Sequence, residues 1–71
     1  MQEVTLTWER NGQDEGPPVR VVAQIGDGGR ITTFPSPRTR LEAELMARRR
    51  LGLKGRHLKF THRGPAPMVV K

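Results

Sequence analysis

Hydrophobic and polar residues alternate strictly at the start of the chain. Val4, Leu6 and Trp8 are separated by Thr5 and Thr7. In a strand, successive side chains point to opposite faces, so a period of two predicts a strand with one face on a core and the other in water.

The alternation returns on both sides of a glycine-rich segment. Apolar residues occupy every second position of residues 19–25, and a run of β-forming residues covers residues 30–34. Between them, Gly26, Gly28 and Gly29 can supply the positive φ angles that a tight reversal needs. The pattern predicts that the second and third strands form a hairpin.

A helix is predicted after the third strand. Ser36 is suited to cap its first N–H groups, and Pro37 is suited to the first helical position, where a missing donor costs nothing. We expect the helix to run from residue 37 to about residue 51, with Gly52 as its C-terminal stop.

The apolar stripe of this helix is expected to centre on Leu41 and Leu45, which lie one turn apart. Arg48 falls close to their direction, and its long stem can cover that edge while the guanidinium reaches water. The other apolar positions around the two leucines are Ala43, Met46, Ala47 and Leu51.

Leu58, Phe60 and His62 alternate with polar residues and predict a fourth strand. The fold class is therefore α+β: a small antiparallel sheet of four strands, or five, in the order β-β-β-α-β, with one helix on one face. Residues 1–71 are expected to form one small basic domain. Residues 10–18 read as an exposed loop, and residues 64–71 as a turn followed by a short edge strand or a frayed end.

Charge is divided very unevenly along the chain. Residues 1–37 carry three arginines against five acids, a net charge of −2, whereas residues 38–71 carry ten Lys or Arg against two acids, a net charge of +8. A concentration of this kind attracts polyanions or an acidic protein surface.

The candidate binding residues come mainly from this basic half. Arginine presents a planar fork that matches phosphate oxygens, and ten of the thirteen basic residues are arginine. Most of the candidate residues lie at the predicted helix end, in the following turn and on the fourth strand, and one more lies in the hairpin. They are Arg48, Arg49, Arg50, Lys54, Arg56, His57, Lys59, Arg63 and Arg30.

The same run also has a purely structural explanation. Cations in the last turn of a helix and acids nearer its start both complement the helix dipole, and Glu42 and Glu44 precede the arginines in that order. Glu44 and Arg48 also have the favourable i,i+4 spacing. These effects account for one or two arginines more easily than for seven cations within residues 48–63.

Catalysis, a cofactor and a metal site are not expected. A chain of 71 residues leaves little room for a cavity that excludes water, and it has no cysteine for a thiolate metal site or a disulfide. His57 and His62 would lie on opposite faces of a strand because an odd separation changes side. We expect a cytoplasmic protein with no membrane contact, and the pattern does not determine its oligomeric state.

Two functions remain open from the sequence. The first is a nucleic-acid-binding module, for DNA or RNA, whose arginines at the helix end and following strand contact phosphates. The second is a protein-interaction or inhibitor module, of the type that mobile elements encode, which docks its basic face on an acidic protein surface. Arginine serves either function, since it is also frequent among the residues that dominate protein interfaces.

Overall fold

The computed structural model describes residues 2–10, 18–26, 28–54 and 57–67. Within these ranges the chain forms one four-stranded sheet and one helix, which confirms the predicted α+β class. The elements in chain order are β1 (Gln2–Glu9), β2 (Arg20–Ile25), β3 (Ile31–Pro35), α1 (Arg40–Leu51) and β4 (Leu58–Arg63).

The predicted antiparallel pairing holds for β1, β2 and β3, but the sheet is mixed because β4 is parallel to its neighbour. Its order is β3-β2-β1-β4. The β2–β3 hairpin is antiparallel as predicted, with Val22 opposite Thr33, and β1 is antiparallel to β2. In contrast, β4 runs parallel to β1, with Val4 opposite Phe60.

The parallel pairing follows from the path of the helix. β1 and β3 run in the same direction because each is antiparallel to β2. α1 then carries the chain back along the sheet, so β4 starts from the same end as β3 and β1. Alternation of apolar residues specifies the buried face of a strand, but it is the same for a parallel and an antiparallel neighbour.

The core lies between the helix and one face of the sheet. Val4, Leu6 and Trp8 are 0%, 0% and 1% exposed, as their alternation predicted. The remaining buried apolar residues come from the other two strands of the antiparallel part and from the helix. They are Val21, Ala23, Phe34, Ala43, Ala47 and Leu51.

The helix begins three residues later than predicted. Thr39, not Ser36, is the N-cap: its backbone is extended and its hydroxyl oxygen accepts a hydrogen bond from the Glu42 N–H at 3.1 Å. The hydroxyl of Ser36 instead donates to the Pro37 carbonyl oxygen at 3.3 Å. A threonine followed three residues later by a glutamate is a capping-box pattern. In this chain it determines the start of the helix more strongly than the Ser36-Pro37 pair does.

The face that α1 turns to the sheet is also different from the prediction. Ala43, Ala47 and Leu51 are buried, whereas Leu41 and Leu45 are each 52% exposed. The buried residues recur at every fourth position, so they form one stripe. Small side chains let the helix approach a sheet face that already carries Trp8 and Phe34, and leucines at those positions would hold it away.

Two predicted features lie outside the described residues. Most of the expected exposed loop falls in residues 11–17, and the expected fifth strand falls in residues 68–70. The predicted fourth strand is confirmed, with Leu58, Phe60 and His62 partly buried on the helix side.

Candidate nucleic-acid interface

The last turn of α1 ends in a left-handed glycine. Gly52 has a φ of 64°, and its N–H donates to the carbonyl oxygens of Arg48 and Arg49. The N–H of Leu53 donates to the Arg48 carbonyl oxygen at 2.9 Å. These bonds form a Schellman motif, which satisfies carbonyls that a helix end otherwise leaves free and turns the chain sharply.

The turn creates a concave surface with several cations around it. A depression of about 270 Å³ is lined by Arg48, Arg49, Gly52, Leu53 and Lys54. We call these five residues the helix-end surface. Three of them are cationic and none carries a carboxylate, so positive charge surrounds the depression.

The three consecutive arginines do not point the same way. The guanidinium carbon of Arg48 lies 5.8 Å from the centre of the Phe60 ring, and that of Arg50 lies 5.9 Å from the centre of the Phe34 ring. Phe60 is on β4 and Phe34 is on β3, which are opposite edges of the sheet. The helix therefore divides the run, with Arg48 and Arg50 on its two flanks and Arg49 exposed.

The cations of β4 lie on the other side of the sheet. Lys59 and Arg63 are exposed and alternate with the partly buried residues that face the helix. Lys59 stands opposite Glu3 and Arg63 opposite Thr7 in the pairing with β1. We call this side of the sheet, which no described element covers, the open face.

Two further predicted residues lie where the sheet begins. Arg30 and His57 are exposed, and their carbonyl oxygens accept hydrogen bonds from the N–H groups of Ile25 and Gln2, each at 3.0 Å. Both therefore flank the end of the sheet from which β4 starts, the end to which the chain returns after α1. Arg56 lies outside the described residues.

A partly buried chain of polar side chains, which the sequence pattern did not predict, links the helix to two strands. The indole Nε1–H of Trp8 donates to His62 Nδ1 at 2.9 Å, and His62 Nε2 lies 2.8 Å from a carboxylate oxygen of Glu44. Because Nδ1 accepts, Nε2 carries the proton of the neutral ring and donates to Glu44. The only sequence signal was that His62 stands in phase with Leu58 and Phe60.

Neither a metal site nor a membrane span emerges from the described ranges. They contain no group of three or more His, Cys, Asp or Glu residues that could hold a metal ion. The single helix they contain falls short of the length and apolar character needed to cross a membrane.

Comparison with protein-family models, with curated proteins and with solved structures finds no match to this chain.

Proposed function

We propose that this protein is a small, non-enzymatic module that binds nucleic-acid phosphates through the helix-end surface. The observation that supports it is that Arg48, Arg49 and Lys54 line one depression without a carboxylate among its lining residues. A phosphate needs several donors that carry positive charge, and arginine offers two parallel N–H groups to its oxygens.

The packing of Arg48 strengthens this proposal. Its guanidinium lies over the Phe60 ring, and the residue is only partly exposed. A side chain held in this way loses less conformational freedom when it binds than a free arginine does. Lys54 and Arg49 are exposed beside it and can adjust to the spacing of a phosphate backbone.

The remaining candidate cations have a different role in the proposal. Arg50, Lys59 and Arg63 do not line the depression, and Arg30 and His57 flank the end of the sheet. They contribute to the long-range field of a protein with a net charge of +6, which speeds the approach of a polyanion. Arg56 follows Lys54 closely in sequence and is proposed as a further phosphate contact.

The proposal is tested by two triple variants with the same formal charge. Arg48→Ala, Arg49→Ala and Lys54→Ala together should lower affinity for duplex DNA about a thousandfold at about 50 mM salt, because each phosphate contact adds about 0.9 to the slope of log affinity against log salt. Arg20→Ala, Lys59→Ala and Arg63→Ala together should cost less than about tenfold, since only screened, long-range attraction is lost.

Fluorescence anisotropy at several salt concentrations measures both affinities and slopes, and circular dichroism confirms that both variants are folded. Equal losses in the two variants would show that only total charge matters. No binding by the unmodified protein at about 50 mM salt would exclude the function, because nonspecific phosphate contacts are strongest there. The same titration with duplex RNA decides between the two nucleic acids.

A second function is favoured by Leu53, which lines the same depression. Phosphates need no apolar contact, whereas an acidic protein surface docked there would bury this side chain between Arg48 and Lys54. Binding partners that are retained after nuclease treatment and lost in the helix-end triple variant would support this protein-interaction module. Partners lost on nuclease treatment would support nucleic-acid binding.

A further inference from the structure

A second depression, of about 200 Å³, lies on α1 outside the buried stripe of Ala43, Ala47 and Leu51, and it is lined by Glu42, Leu45, Met46 and Arg49. Met46 lies at its inner edge, where it is partly buried and also packs against the core. The four lining positions are i, i+3, i+4 and i+7, the four that form a hole for a side chain of a facing helix in knobs-into-holes packing. Leu45 is 52% exposed, so apolar surface is available there.

The four positions are complementary to themselves. Reversing the direction of the helix about the midpoint of Leu45 and Met46 exchanges Glu42 with Arg49, and Leu45 with Met46. An antiparallel copy related by a two-fold axis would therefore set an acid against a base twice and place the apolar pair at the centre. Such isologous contacts are the commonest way in which identical chains associate.

We propose that the surface of α1 around this depression is a docking site for a second copy of this chain, in an antiparallel helix pair. A parallel pair would set Glu42 against Glu42 and Arg49 against Arg49. A uniformly acidic partner helix would be repelled by Glu42, and a uniformly basic partner helix would be repelled by Arg49. An antiparallel second copy places an opposite charge at each end of the depression.

The pair is weak. A helix of 12 residues is about 18 Å long, and two such helices bury less than the roughly 1,200 Å² of a standard interface. Two chains of net charge +6 also repel each other. We expect a dissociation constant on the order of 100 µM, so the dimer forms only in concentrated solution.

Sedimentation equilibrium of the full chain, without nucleic acid and up to about 1 mM protein, tests the pairing. Glu42→Arg and Arg49→Glu should each weaken dimerisation by at least about tenfold, because each sets like charges together at two symmetric places. The double variant should restore it to within about threefold, since the exchanged charges still meet. Glu3→Arg on the open face is the control and should change it little.

The two single variants separate contact from total charge, because one raises the net charge and the other lowers it. If repulsion between the net charges alone governed association, the two single variants would shift the dissociation constant in opposite directions. A chain that stays monomeric at about 1 mM overturns the proposal, as does a double variant that fails to recover. Circular dichroism checks that each variant folds. The test is independent of phosphate binding, although Arg49 borders both surfaces.

Discussion

Both sides of the sheet carry cations, but the groups around those cations differ. On the helix side, Arg48 and Arg50 lie over aromatic rings, and Arg48, Arg49 and Lys54 share one depression. On the open face, Arg20 forms an ion pair with Glu9, and Lys59 stands opposite Glu3. Carboxylate-bearing residues therefore neighbour cations on the open face, whereas none lines the helix-end depression.

This difference has a physical consequence for binding. A cation beside a carboxylate has most of its field cancelled at short range, and salt screens the rest within about 10 Å. Cations that line one depression reinforce one another, and a nearby ring restrains a guanidinium in place. On the proposed function, we therefore expect the helix-end surface to bind anions more strongly than the open face.

The largest expected contrast between the two sides is in stability and lies on one strand. Phe34 and Ile31 are both on β3, but Phe34 is 2% exposed and Ile31 is 60% exposed. Phe34→Ala should lower the free energy of unfolding by about 3–5 kcal/mol, because it leaves a cavity under the helix. Ile31→Ala should change it by less than about 0.5 kcal/mol. Urea unfolding measures both, and similar losses would contradict the assignment of faces.

The next contrast is between the two faces of α1. Ala47 is fully buried and Leu45 is half exposed. Ala47→Leu should cost about 1–3 kcal/mol, since extra methyl groups would push the helix from the sheet. Leu45→Ala should stay within about 0.5 kcal/mol in dilute solution. Thermal unfolding measures both losses of stability. A larger loss for Leu45→Ala than for Ala47→Leu would favour the leucine stripe predicted from sequence.

The polar chain of the helix side can be broken at its centre. His62→Ala should cost about 1–3 kcal/mol, because it leaves the buried indole N–H of Trp8 without its acceptor. His57→Ala, at an exposed position, is the matched control and should cost less than about 0.5 kcal/mol. Urea unfolding followed by Trp8 fluorescence measures both. Equal effects would mean that the hydrogen bond contributes nothing measurable.

The smallest effect is expected for the open-face ion pair. Glu9→Gln removes the partner of Arg20, whose side chain is 61% exposed, and should cost about 0.2–1 kcal/mol. The loss should disappear at about 1 M salt, where exposed charges are screened. Unfolding at low and high salt gives the comparison. A loss that is insensitive to salt would indicate that Glu9 acts through packing instead.

The strands could be predicted because each carries its own evidence. The alternation of Val4, Leu6 and Trp8 specifies a buried face whatever the neighbouring strand is, and glycines locate the β2–β3 turn. The buried face of the helix was harder to predict, because Ala43 and Ala47 are weakly apolar whereas Leu41 and Leu45 are strongly apolar. Hydrophobicity alone favours the leucines, but a helix that crosses large aromatic residues needs small ones.

The candidate site was predicted in composition but not in arrangement. Arg48, Arg49 and Lys54 are close in sequence, and the structure brings them to one depression through the glycine turn that the sequence also predicted. Lys59 and Arg63 are equally basic, yet they lie on the open face because strand alternation places them opposite Phe60 and His62. The ring contacts of Arg48 and Arg50 join residues that are far apart in sequence, so no local sequence pattern predicts them.

The amino-acid sequence by itself determined the class of fold, the order of its elements and the excess of positive charge after residue 37, because these follow from local periodicity and from counting charges. Only the tertiary structure decided that β4 pairs in parallel with β1, that alanines rather than leucines meet the sheet, and that Arg48 and Arg50 lie over rings at opposite edges of the sheet. Those outcomes depend on which surfaces can approach one another, and close packing is a property of the assembled chain rather than of any one segment.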